Sequence, residues 1–379
     1  MRRTITLATL AGAGAAVAAL CLPAAAGADQ PQGHGHPAAP VFVQTNDVTG
    51  NQIVTYLPSG QGGLRQVGRV GTGGLGVALG GAAVDDLASE GGLAYDAQDQ
   101  LLVAVNGGSN TISVFHTFGP FVGSRHVVAS GGTIPVSVAV RGDLIYVLNA
   151  GGSGEVQGFN ATTLRPIPGS ARSLGLVAGA TPQFLNTPGQ IGFSPNGRQV
   201  IVTTKANGSD IDVFGVTPSG ALGVPTVNPS ATPVPFGFTF DGSGHLVVTE
   251  AGTSAVTTYA LAPTGTVTEL GSVTDGLKAL CWVANDNNRF FFGSNAGSAT
   301  VTSYTVTATG HPSEVGSTAT DAGPIDLVAS PDGSALYVET GGSDLVDSYT
   351  VTSTGALVPT GNVAPELPGH TGLEGIAVG

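Results

Sequence analysis

The chain has 379 residues, and its 12 Lys+Arg set against 25 Asp+Glu give a formal net charge of −13. That balance excludes a polyanion-binding surface, so neither nucleic acid nor an anionic membrane is expected as a partner. With two cysteines in so long a chain, stability must come from a core rather than a disulfide framework.

In chain order, Arg2 and Arg3 precede an apolar run from Ile5 to Leu22 and a small-residue stretch, AAAGA, at 24–28. This is the pattern of a cleaved export signal over residues 1–28, so a secreted, extracellular protein is expected. Cleavage removes two arginines and Cys21, leaving 10 Lys+Arg against 25 acids (−15) and Cys281 as a lone, buried, inert thiol. Residues 29–39 (DQPQGHGHPAA) are polar and aperiodic and read as a flexible tail; His34 and His36 alone do not make a metal site.

Residues 40–379 carry an internal repeat. The stretch NGGSNTISVF at 106–115 recurs as KANGSDIDVF, NAGSATVTSY and TGGSDLVDSY. The aromatic closing each copy falls at Tyr56, Phe115, Phe159, Phe214, Tyr259, Tyr304 and Tyr349, spaced 59, 44, 55, 45, 45 and 45 residues apart. A period near 45 built from short alternating runs is that of four-stranded propeller blades, and the count is seven. The fold class expected is therefore an all-β, seven-bladed β-propeller. The first copy lacks an inner strand before VFVQT (41–45), and LEGIAVG (373–379) supplies one at the other end. Pairing the N- and C-terminal strands in blade one closes the ring and removes an open edge. The two long spacings place insertions at 71–91 and 168–189, between blades one and two and between three and four; loops on a rigid scaffold are where function concentrates.

The SPNG (194–197) and SPDG (330–333) turns and the NGGSNTISVF hairpins resemble the seven-bladed propeller lactonases, which include 6-phosphogluconolactonase and carboxymuconate cyclase relatives. They are shared in part with secreted YVTN-repeat propellers. The resemblance implies hydrolysis or isomerisation of a small acidic lactone. It also implies a histidine before the mid-chain turn and an acid ending the next strand; Gln190 and Lys205 stand there. The other reading is a non-catalytic extracellular binding propeller.

Aligned at the end of each second strand are Asn46, Asn106, Asn149, Lys205, Glu250, Asn295 and Thr340. The asparagines suit left-handed turn geometry. Lys205 and Glu250 do not, and are expected as a charged pair at the mouth of the central pocket, Glu250 as base and Lys205 as oxyanion or carboxylate partner. Arg172 in the second insertion suits a carboxylate ligand, and His370 and Glu374 flank the closing strand. Together these five form the candidate catalytic set. Asp326 is expected to face the channel. Asp85, Asp86 and Glu90, with Asp47, raise a Ca²⁺ reading whose spacing matches no established loop, so no metal and no cofactor is assigned. A monomer binding a small acidic ligand or an extracellular partner is expected.

Overall fold

The computed structural model describes residues 39–60, 62–365 and 373–379. The stretch expected to be an export signal and most of the tail, together with His370, lie outside the described residues. Seven sheets of four antiparallel strands form the ring. The seven repeat aromatics all lie on third strands and are at most 3% exposed, which is why the repeat marks them: each fills the seam between neighbouring blades.

Blade one is built from both ends of the chain. Its inner strand is Ile376–Val378, which pairs with Val41–Gln44 in the register Val41↔Val378, Phe42↔Ala377, Val43↔Ile376. Gln52–Pro58 and Leu64–Gly71 complete it. The expected closure is therefore present, and with it a ring without a free inner edge.

A second ring of contacts ties successive blades. Thr203 Oγ1 donates to Phe236 O at 2.5 Å, Thr249 Oγ1 to Cys281 O, and Ser294 Oγ to Ile325 O at 2.8 Å. In each case a second-strand hydroxyl satisfies an inner-strand carbonyl of the next blade. In blade seven the same position holds Glu339, whose Oε2 accepts from Gly375 N at 2.9 Å in blade one. A carboxylate has replaced the hydroxyl at the joint where the ring closes.

The repeat aromatics differ in a second respect. In blades five to seven they are tyrosines, and each hydroxyl donates to a buried or half-buried acid: Tyr259 to Glu250 at 2.5 Å, Tyr304 to Asp275 at 2.9 Å, Tyr349 to Asp347 at 3.1 Å. Blades two to four carry phenylalanine and need no such partner.

Candidate functional site in the central channel

The first insertion does not stay on the rim. From the outer strand of blade one it crosses the top of the ring and descends into the channel. Asn46 first grips it, donating from Nδ2 to Val77 O at 2.8 Å and accepting at Oδ1 from Val77 N at 3.0 Å. The chain passes so close at Gly76 that a Cβ there would overlap the Asn46 carbonyl. Leu79, Leu87 and Ala88 are then buried in the largest apolar cluster.

Residues 84–91 touch every other blade from inside. Ser89 Oγ donates to Val136 O (2.7 Å) and Ser137 Oγ to Glu90 O (2.6 Å) in blade three. Glu90 N donates to Gly189 O of blade four at 3.0 Å. The indole of Trp282 in blade six donates to Ser89 O at 3.0 Å, and Val283 N to Glu90 Oε2 at 3.2 Å. Gly91 N reaches Asp326 Oδ2 of blade seven at 3.4 Å, and Glu374 of blade one accepts from Asp86 N and Leu87 N. In blade five Gly237 makes room: any side chain there would overlap Glu90 Oε2.

Lys205 holds this segment from below. Its side chain is 1% exposed, and its Nζ donates to Ala88 O, to Phe184 O at 2.5 Å and to Thr187 Oγ1 at 3.0 Å. All three ammonium protons are used, and the charge also lies 5.2 Å from the centroid of Phe236. Since Ala88 belongs to the first insertion and Phe184 and Thr187 to the second, one lysine fastens both. The insertions also meet directly: Gly80 N donates to Gln183 Oε1 at 2.9 Å.

Beneath the segment lies a set of buried carboxyl groups: Asp85 and Glu90 on the segment itself, Asp326 and Glu339 from blade seven, and Glu374 from blade one, none more than 8% exposed. Burial pushes Asp85 up to about 6 and Asp326 up to about 7. Glu90, Glu339 and Glu374 rise well above the usual range, first through burial and then through neighbouring carboxylates. Lys205 is pushed down to about 8 by burial, against the pull of Asp85, Cys281 and Glu374. Burial likewise raises the Cys281 thiol, which stays protonated, as expected of an inert core cysteine. Among the described residues no group of His, Cys, Asp or Glu is arranged to hold a metal ion, and the Ca²⁺ reading finds no support in Asp47, whose Oδ1 accepts from Thr49.

The four candidate residues that are described separate, His370 lying outside the described residues. Lys205 and Glu374 lie in the channel site, where Asp326 also faces as expected. Glu250 is fully buried but spends its carboxylate on Ser230, Thr232, Thr257 and Tyr259, all from its own blade or the connection leading into it. None of these contacts reaches Lys205, so the expected pairing of the two is not formed. Arg172 sits on the outermost strand of blade three and donates to the carbonyls of Ala171, Leu222 and Gly223. It ties blade three to blade four.

The reason is a slip of one residue. By register Thr203↔Ile211 and Thr249↔Val256 are equivalent, so Glu250 corresponds to Thr204 and Lys205 lies one position beyond. Lys205 and Asn46 are the two members of the aligned set with positive φ, at 50° and 49°. The left-handed geometry anticipated for all the asparagines thus belongs to Asn46 and to the lysine. Asn106 has φ −128° and acts through its side chain, donating to Thr111 and Ser113. Glu339 was missed altogether. The signal was available: at its repeat position the other blades carry Gln44, Val105, Leu148, Thr203, Thr249 and Ser294.

Comparison with solved structures agrees with this architecture. A candidate 6-phosphogluconolactonase from Bacteroides uniformis aligns with TM-score 0.70 and 16% identity over 91% of this chain and 100% of its own. One from Bacteroides fragilis gives 0.69 and 16% over 90% and 98%. The periplasmic gluconolactonase of Pseudomonas aeruginosa gives 0.69 and 15% over 90% and 98%. The fold is that of the lactonase-type propellers. At this identity the likeness concerns the fold alone. No protein-family model and no curated sequence matches the chain.

Proposed function

We propose that this protein is a secreted lactonase-like hydrolase whose acid–base groups are the channel carboxyls. The supporting observation is the mixture of buried carboxyl groups around Asp326. Burial raises Asp326 to about 7 and Asp85 to about 6, and lifts Glu339 and Glu374 well above the usual carboxylate range, which favours neutral and ionised carboxyls side by side near neutral pH. One group to accept a proton and others to give one is what lactone hydrolysis needs. Ionised Asp326 takes a proton from water as its oxygen bonds to the lactone carbonyl carbon. A neutral carboxyl, Glu339 or Glu374, gives a proton to the ring oxygen as the carbon–oxygen bond breaks, and the product is the open hydroxy acid. Lys205 is placed to offer a donor to the oxyanion once it releases Ala88 O.

The substrate class follows from charge. Five carboxyls against one ammonium favour a neutral lactone. The small acidic lactone that the sequence resemblance suggests fits only while the carboxyls keep their protons. Export is supported by the Arg2–Arg3 and apolar pattern of the first 28 residues.

The second reading, a non-catalytic binding propeller, is favoured by one specific observation: residues 84–91 occupy the channel and use the donors of Lys205 and an oxygen of Glu374. A panel of neutral and acidic lactones separates the two, assayed with the wild type, Asp326→Asn and Glu250→Gln. The hydrolase reading expects turnover that Asp326→Asn lowers at least a hundredfold and Glu250→Gln leaves unchanged. Absence of turnover across the panel, or turnover indifferent to Asp326→Asn, leaves the binding reading.

A further inference from the structure

The 84–91 segment and the channel wall carry carboxyl groups on facing surfaces, which take charges of the same sign when they ionise. The segment contributes Asp85 and Glu90, with half-buried Asp86 at its edge; the wall contributes Asp326 and Glu339 from blade seven and Glu374 from blade one. The cations and thiols facing them are Lys205 from blade four and Cys281 from blade six. From blades three and five the contacts are made by Val136, Ser137 and Gly237, which do not titrate. Glu339 Oε1 is buried with no hydrogen-bond partner, so at that atom ionisation is not compensated.

We propose that residues 79–91 form a latch over the central channel, shut while the carboxyl groups beneath it are protonated and released as they ionise. Three features combine. The segment is anchored by backbone contacts to blades on all sides, by two leucines and by one lysine, so it has a defined closed seat. It is a connection between blades and not a strand of any sheet, so it can leave without breaking a blade. The groups that hold it down are the ones that repel it when charged. Glu374 is the clearest case: its Oε1 accepts from the backbone of Asp86 and Leu87 while its neighbours are Asp85 and Glu339. A single ammonium offsets one carboxylate at most, and a second or third unpaired charge in so buried a site is unfavourable unless the site opens.

Release exposes Asp326, Glu339 and Lys205 to solvent together, which links the latch to the proposed chemistry, but the inference stands on its own and its test reads no turnover. Backbone hydrogen exchange is followed on the whole protein between pH 5 and pH 8, corrected for the intrinsic pH dependence of exchange. The expected result is that amides of 84–91 lose at least tenfold in protection across this range while the second and third strands lose none. Glu339→Gln and Asp326→Asn each remove one ionisation and are expected to cut that loss by about tenfold; Glu250→Gln, outside the cluster, leaves it as in the wild type. The strand amides of the same samples report that each variant is folded. Uniform exchange behaviour of latch and strands across pH, or a latch response unchanged in both cluster variants, overturns the proposal. A lactone panel without turnover would overturn the hydrolase reading and leave this result untouched.

Discussion

Replacing Lys205 by methionine tests whether this residue is a fastener. The side chain keeps its apolar stem and its backbone strain, since methionine at φ 50° meets the same left-handed penalty as lysine. What is lost is the ammonium and its bonds to Ala88 O, Phe184 O and Thr187 Oγ1. The buried Ala88 carbonyl left unsatisfied costs about 1–3 kcal/mol, and the half-buried Phe184 O, which keeps Thr187 Oγ1 at 3.4 Å, adds less. Against this, the folded protein no longer has to desolvate a cation, which the downward push on Lys205 to about 8 shows to be unfavourable. The net expectation is a loss of about 1–4 kcal/mol, concentrated in the two insertions. Urea unfolding gives the global figure, and limited proteolysis gives the location, with new cleavage within 79–91 and 176–187. Lys205→Gly separates the terms, because it relieves the backbone strain by about 1 kcal/mol while deleting the same contacts. If Lys205→Met unfolds and is cleaved like the wild type, the lysine is not what holds the insertions down.

Removing the hydroxyl in Tyr304→Phe takes one donor from Asp275 and is expected to cost about 1 kcal/mol by chemical denaturation. Gly237→Ala pushes a methyl group into the place of Glu90 Oε2, so the latch amides should exchange at least tenfold faster while the outer strands keep their protection. Stability should fall as pH rises from about 4 towards 7. Asp85, Asp326, Glu90, Glu339 and Glu374 all have folded values raised above their unfolded ones, so the unfolded chain releases these protons first. A urea midpoint higher at pH 7.5 than at pH 5 would contradict that sign.

The ring and its closure were legible because they depend on patterns that repeat. Seven aromatics at fixed turn distances count the blades, and a missing inner strand at one end matches a spare one at the other. The site was less legible because it depends on where the pattern breaks by a single residue. Lys205 and Glu250 occupy the same place when counted back from Phe214 and Tyr259. Yet Glu250 ends its strand and points into the seam towards Tyr259, while Lys205 lies past its strand in left-handed geometry. Linear spacing cannot register an extra turn residue; strand register does. Arg172 was misplaced for a related reason: the insertion holding it begins with a short edge strand, so its first residues stay on the rim.

Glu339 shows what a comparison across blades can add. Where neighbouring blades use threonine or serine, one hydroxyl proton satisfies one carbonyl of the next inner strand and nothing is left over. At the closing joint the partner is Gly375 N, a donor, so the tie must be an acceptor, and Glu339 supplies two oxygens for one proton. The surplus oxygen is the one left without a partner beside Asp326 and Asp85. The joint that closes the ring therefore places an uncompensated acid next to the channel. Asp326 and Glu374 add two more, and the first insertion brings its own pair down onto them. An assembly serving only as a scaffold would remain closed with a neutral amide or hydroxyl at each of these positions. Carboxyl groups there cost stability at neutral pH, a cost that the proposed proton exchange or latch release would offset.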